Sequence, residues 1–560
     1  MYTSTKISDD AIVRRSANYL PSIWDYDFIQ SLRSEYMGEQ NIAKVEKLKE
    51  EVKMMFKEAT SPLNKLEMID CMQRLGFSYL FKNEIEAALQ ILHNNYIHLG
   101  HAHNEEELHA TALEFRLLRQ HGYFINQDVF TRFMDEKREL KDCHRGDLKG
   151  ILNLYEASYV LLEGENVLEE AQVLCIKHLQ EFVKEKNIIG EEEYLVMLAS
   201  HALKLPSHWR MQRLETRWFI DVYEHNKDMK MKPTFLQLAK LEFNMVQAIH
   251  QQDLKQVSRW WKKTELGEKL GFARDRMVEI FFWSVGAISE PEYGYSRTIL
   301  SKLGELLTVI DDIYDIYGSL DELELFTDAI IRWDTNAMDG LPDYMKICFL
   351  ATYNCINELA FDVLKNQNLH IISYLKKEWA GICKAYLLEA KWYYSGYIPS
   401  LQEYLENRWV SIAMPLVFVH AFFTIPNQIS EETITCLEGS PDMIQLSSLI
   451  CGLADDLGTS SLEIKRGDNP KSIQCYMHET GASEEEARKH LRYLIGEAWK
   501  KLNKEKMNNT IFSQAFMGLL INMARTTQFI YQSGDGFGGE DRKIKDQITS
   551  LFIQPITMID

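Results

Sequence analysis

The 560-residue chain lacks what several large protein classes require. Its nine cysteines (Cys71, Cys143, Cys175, Cys348, Cys355, Cys383, Cys436, Cys451 and Cys475) include no CxxC pair, which argues against a zinc site or a disulfide framework. A cationic surplus is missing too: the net charge is −20, which argues against a nucleic-acid or anionic-membrane surface. Strand-like alternation between hairpin turns is almost absent. Long apolar runs are scarce, and the longest, "WVSIAMPLVFVHAFFTIP" (409–426), carries Ser411, Pro415, His420 and Thr424. It reads as a buried, proline-kinked helix rather than a membrane span. The opening "MYTSTKISDDAIV" has neither a secretory nor a transit-peptide pattern, so the sequence as it stands reads as cytoplasmic. If a transit peptide has been removed, the plastid stroma is the alternative.

What is present is helical periodicity. "NIAKVEKLKEEVKMMFKEA" and "TFLQLAKLEFNMVQAIHQQDLKQVSRWWKKTEL" place apolar residues three and four apart. The fold expected is all-α, without a fixed-period repeat. Length favours two domains. The Lys-rich stretch "YEHNKDMKMKPTF" (223–235) marks the boundary, giving 1–228 and 229–560.

The acidic constellations lie in the second part. In "TVIDDIYDIYGSLDELELF", Asp311 and Asp315 share a helix face and Asp312 lies about 100° away. An EF-hand is excluded, because Ile313 and Ile316 stand where an oxygen ligand and a glycine are needed. In "LADDLGTSSLEIKRGDNPKS", Asp455, Thr459 and Glu463 recur every fourth residue. These are hard oxygen donors suited to Mg²⁺ or Mn²⁺, ions that usually bring phosphate with them. "FARDRMVEIFFW" offers Arg274 and Arg276, and the segment after the second acidic set offers Lys465, Arg466 and Lys471, for an anion clamp.

Taken together these motifs resemble the plant class I terpene synthases, in particular the angiosperm monoterpene synthase subfamily, from about residue 14 onwards. "DDIYD" is similar to the family's DDxxD, and "DDLGTSSLE" to its (N/D)Dxx(S/T)xxxE. "RDR" sits where the family keeps RxR, and "RRSANYLPSIW" matches RRx₈W through Arg14, Arg15 and Trp24. The resemblance implies two helical domains, a C-terminal α-bundle enclosing the active site and an N-terminal barrel-like relic. It further implies three Mg²⁺ or Mn²⁺ ions: Asp311 and Asp315 would bind two, and Asp455, Thr459 and Glu463 the third. Arg274, Arg276 and Lys471 would hold a prenyl diphosphate, with Asp312 flanking the site. Trp283 and Tyr531 would face a carbocation. Arg14, Arg15 and Trp24 would belong to a covering segment. Independently of the resemblance, the Gly-rich acidic loop "GDGFGGED" (534–541) reads as a mobile turn or a lid. The DxDD motif of protonation-initiated cyclases is missing. A chain-elongating prenyltransferase would repeat DDxxD, which this chain does not; a non-enzymatic helical scaffold is the rival from another class. A monomer is expected.

Two positions depart from the family pattern. Gly452 stands where an arginine is usual, so a clamp charge is expected to be lost. Gly304, two turns before Asp311, is expected to leave space in the pocket. Subfamily resemblance favours geranyl diphosphate and a C10 product. The missing transit peptide and the two glycines favour farnesyl diphosphate and a cytosolic C15 product. Pro415 is expected to break its helix beside the cation.

Overall fold

The computed structural model describes residues 14–99, 107–184, 191–225, 233–426, 429–537 and 542–558. Among the described residues the chain is helical, with no strand beyond an isolated bridge between Met134 and Leu140. The boundary placed at 228 lies outside the described residues.

Before residue 226, the helices Leu108–Gln120 and Leu148–Ser158 bury nearly every side chain, so they form the centre around which the others pack. Their charged members are paired inside this core, as in the Arg119–Glu165 bridge. From Pro233 a second bundle begins. Seven of its helices, labelled in chain order, wall one cavity: α1 (Met277–Ala287), α2 (Gly294–Asp312), α3 (Ile372–Ser395), α4 (Leu401–Ser411), α5 (Met414–Thr424), α6 (Asp442–Arg466) and α7 (Gln514–Tyr531). α1 packs on α2, α2 on α5, α5 on α6, α6 on α7, and α7 back on α1, which closes a ring; α3 and α4 lean on α5 and α6.

Small residues set how closely this ring draws in. A Cβ at Gly286 would lie 2.5 Å from Thr526 Oγ1 of α7, and one at Gly458 would lie 2.9 Å from the Tyr531 ring. Only glycine allows these backbones to approach so near.

The apolar run 409–426 is not one kinked helix. It divides into α4 and α5 at Ile412 and Ala413, where Ala413 takes φ +67°. Pro415 therefore does not make the break. It lies in the first turn of α5, where a missing amide is harmless, and the reversal belongs to Ala413. Another helix, Asp343–Gln367, is long and apolar enough to cross a membrane. It packs against α2, however, with Cys348, Phe349, Ile356 and Leu359 buried.

Candidate active site

α2 carries the first acidic row. Leu300, Leu303, Leu307 and Ile310 are buried along it, so its apolar spacing fixes which face turns inward. The helix does not continue as α through the motif. Residues Ile313–Tyr317 form a π turn, closed by the Gly318 amide donating to the Ile313 carbonyl at 2.8 Å. A Cβ at Gly318 would lie 2.9 Å from that carbonyl, so glycine is needed for the closure. Single π turns of this kind frequently mark functional sites. Asp311 and Asp315 both line the cavity.

Asp312 goes elsewhere. It is fully buried, does not line the cavity, and holds Arg274: the Arg274 amide donates to Oδ2 at 2.7 Å and Nε to both oxygens at 3.1 Å. The fork of Arg274 then reaches Asp311 Oδ2 at 2.6 Å. Asp312, expected to flank the site, instead positions the arginine. Arg276, expected on the diphosphate, is not brought to the cavity. Its guanidinium donates to the Leu20 carbonyl at 3.2 Å, on the N-terminal segment.

The second row comes from α6. Asp455, Thr459 and Glu463 line the same cavity as Asp311 and Asp315, joined by Lys471 and Arg466. Their electrostatics are unfavourable as they stand. Burial pushes the Asp455 carboxyl up to about 7, in the presence of Glu463 and Asp456, and raises Glu463 as well. Asp315 is held well above the usual carboxylate range by burial and by the charge of Asp311. Glu463 Oε2 is buried without a partner. Lys471 keeps its charge, because Glu463 and Asp315 outweigh the burial that opposes it. Among the described residues no three His, Cys, Asp or Glu side chains already surround one point. Oxygen-only donors, an orphaned carboxylate oxygen and carboxylates that repel one another within each row nevertheless fit divalent cations shared with an anionic ligand.

Much of the rest of the cavity is apolar, with Ser284, Thr308, Ser411 and Thr527 among its lining. Ile280, Leu300, Leu307, Ile412, Met414 and Val417 line it, and it encloses about 1200 Å³ counting its open mouth. Trp283 and Tyr531 also line it, their rings 6.0 Å apart edge to face; Phe537 lies 6.5 Å from Trp283. Residues 538–541 of the Gly-rich loop lie outside the described residues.

The N-terminal segment packs against the elements that carry the polar end of the cavity. Arg14 forks onto both Glu322 oxygens at 2.9 Å, and Trp24 Nε1 donates to Glu279 at 3.0 Å. Tyr19 stacks under Arg274, 5.2 Å from the guanidinium carbon.

Several lining residues escaped the sequence reading: Arg408, Tyr386 and Phe537. For Arg408 a signal existed. The buried face of α4 reads Leu401, Tyr404, Arg408, Ser411, and an arginine on an otherwise inward-facing stripe needs an acidic partner. The charge expected to be lost at Gly452 is thus returned from another helix, and a Cβ at Gly452 would lie 3.1 Å from Arg408 Cγ. Gly304 lines the cavity, as expected of a residue two turns before Asp311, but the room beside it is limited: a Cβ there would lie 2.7 Å from Ile280 Cγ2.

A ring of helices with two facing acidic rows above an apolar cup defines a class I terpenoid synthase, a metal-binding lyase. The comparisons agree. Residues 262–501 match "Terpene synthase family, metal binding domain", and residues 23–203 match "Terpene synthase, N-terminal domain". The chain is 55% identical to chloroplastic myrcene synthase of Quercus ilex, across 98% of this chain and 90% of that protein. It is also 55% identical to (-)-alpha-terpineol synthase of Vitis vinifera, across 98% and 92%. A crystal structure of limonene synthase with 2-fluorolinalyl diphosphate superposes with a TM-score of 0.94 at 42% identity, covering 97% of this chain and all of the other. Isoprene synthase from grey poplar leaves, in complex with three Mg²⁺ ions and dimethylallyl-S-thiolodiphosphate, gives 0.85 at 42% identity, covering 96% and 99%. The chain belongs to the terpene synthase family.

Proposed function

We propose that the enzyme ionises geranyl diphosphate and converts the resulting allylic cation into a monoterpene, releasing inorganic diphosphate. One observation carries this reading: Asp311, Asp315, Asp455, Thr459 and Glu463 share a single cavity with Trp283 and an apolar wall. Asp311 and Asp315 would hold two ions and Asp455, Thr459 and Glu463 a third, Mg²⁺ or Mn²⁺. When bound, such ions supply Lewis-acid neutralisation of the departing diphosphate.

The chain's own residues do the rest. Arg274 and Lys471 line the polar end of the cavity and attract the diphosphate, so that its charge collects away from the apolar cup. Below, Trp283 and Tyr531 offer ring faces to a cation, each worth about 0.5–2 kcal/mol, without presenting a nucleophile. The segment from Arg14 to Trp24 closes the mouth and keeps water from the cation. Support for a C10 substrate comes from the relatives named for myrcene, terpineol and terpinene. Gly304, expected to favour a C15 substrate, lines the cavity with Ile280 close beside it, so the extra room it leaves is small. Relatives named as chloroplastic support a plastid site of action, whereas the cytoplasmic expectation finds no support among them.

The test is incubation of purified protein with geranyl and with farnesyl diphosphate, with and without Mg²⁺, followed by gas chromatography and diphosphate assay. A monoterpene from geranyl diphosphate that disappears on chelation is expected. A product from farnesyl diphosphate alone would move the assignment to C15. No metal-dependent diphosphate release would end it.

A further inference from the structure

The two acidic motifs are built on the same plan. In each, a pair of adjacent aspartates divides its work. The second aspartate, Asp312 or Asp456, is fully buried and grips an arginine; the first, Asp311 or Asp455, lines the cavity and meets that arginine's fork. For the first motif the arginine is Arg274. For the second it is Arg408, which pairs with Asp456 Oδ1 at 2.9 Å and with Asp455 Oδ2.

The scaffold around Arg408 is as developed as that around Arg274. Asp456 also accepts from the Ser472 amide at 3.2 Å and from the Tyr404 hydroxyl at 3.3 Å, so its carboxylate is fixed in place. Arg408 is 5% exposed, lines the cavity, and has its Nε buried without a partner. A donor left over inside a cavity lined with Lys471 and Arg466 suits an anion that arrives later. The stem of Arg408 lies against Gly452, where a Cβ would meet Cγ at 3.1 Å and Nε at 3.4 Å. Glycine at 452 makes room for the arginine at 408.

We infer that Arg408 is a second diphosphate-binding arginine, the counterpart of Arg274 on the opposite acidic row, and that Gly452 is required for its pose. The inference rests on the reading of this cavity as a metal and diphosphate site. It makes the two positions a coupled pair: a side chain at 452 acts by displacing Arg408.

Binding of inorganic diphosphate in the presence of Mg²⁺, followed by calorimetry, tests this without turnover, with a thermal melt of each variant as the control for folding. Wild type is expected to bind. Arg408→Ala is expected to bind about 10- to 100-fold more weakly, the range for losing a charge-assisted hydrogen bond. Arg408→Lys should recover part of the loss. Gly452→Ala should weaken binding in the wild-type background but not in Arg408→Ala, since the residue it displaces is then gone. Should Arg408→Ala fold poorly, the lysine and Gly452→Ala variants carry the test by themselves. Undiminished affinity in the folded variants overturns the role of Arg408, and additive losses overturn the coupling. Failure of the wild type to bind diphosphate with Mg²⁺ would instead remove the site reading on which both depend.

Discussion

Arg15 donates to the main-chain carbonyl of Asp315 at 2.9 Å, and its other nitrogen meets Asp468 Oδ1 at 2.6 Å. The N-terminal segment is therefore tied to the π turn that presents the last aspartate of the first motif, and to the loop that follows the second. One side chain bridges the ends of both acidic elements. Arg15→Ala is expected to lower kcat/KM about tenfold, the lower end for a charge-assisted contact because this guanidinium is partly solvated. It should also raise the share of water-quenched alcohol among the products, since the mouth is no longer held shut. Gas chromatography with steady-state kinetics checks both, and an unchanged product profile would separate the segment from water exclusion.

How much of this could be read beforehand depended on whether the information was local. The i, i+4, i+8 row of Asp455, Thr459 and Glu463 and the Asp311–Asp315 pair are repeats within a single helix, and all five line the cavity. What needed the fold was pairing between helices. Arg408 lies 47 residues before Asp455, and no spacing rule links them. Arg276 is two residues from Arg274, yet its side chain turns to Leu20 while Arg274 turns to Asp311, because successive residues outside a regular helix face different neighbours. The π turn at 313–317 was hidden because its residues have ordinary helix spacing, and only the close approach at Gly318 reveals it.

Gly304 holds α1 and α2 together where Ile280 fills the space a side chain would take. Gly304→Ile should therefore act by pushing Ile280, which itself lines the cavity. Overpacking of this kind costs about 1–3 kcal/mol. A lower melting temperature and a redistributed product profile are expected together, with partial recovery of both when Gly304→Ile is combined with Ile280→Ala, which removes the γ carbon that the new side chain meets. A shifted profile at unchanged stability would mean that the new side chain enters the cavity directly.

His420 on α5 is locked as a neutral ring. Its Nδ1 faces the Leu416 carbonyl at 2.7 Å, so that nitrogen carries the proton, and Nε2 accepts from the Trp379 indole at 3.2 Å. Burial lowers its pKa from 6.5 to about 4. A depressed value means that, as pH falls below 6.5, the unfolded chain takes up a proton that the folded chain refuses. The stability present above pH 6.5 is therefore lost between pH 6.5 and about 4, by roughly 3 kcal/mol in total. Urea unfolding at pH 7 and pH 4.5 should show a shallower acid loss in His420→Gln than in wild type, even though the variant is weaker at pH 7. Parallel losses in the two proteins would assign the acid sensitivity to other groups.

Far from the cavity, Arg119 and Glu165 form a two-pronged pair at 2.6 Å in the core formed before residue 226, with only 2% and 8% exposure. Glu165 also accepts from the Leu162 amide at 2.7 Å, and Arg119 Nε donates to the Ile125 carbonyl at 3.0 Å, so each charge is tied into loop backbone as well. Removing the arginine alone strands a buried carboxylate, and losses of about 3–5 kcal/mol are typical of such a break. Replacing both with apolar side chains of similar volume removes the stranded charge but leaves the loop carbonyl and amide without partners. Arg119→Met is therefore expected to destabilise more than Arg119→Met with Glu165→Leu in urea unfolding. Since neither residue lines the cavity, folded protein from both variants should retain wild-type KM for the diphosphate substrate. A changed KM would show that the packing of this core is transmitted to the acidic rows, and would make the N-terminal helices more than a support.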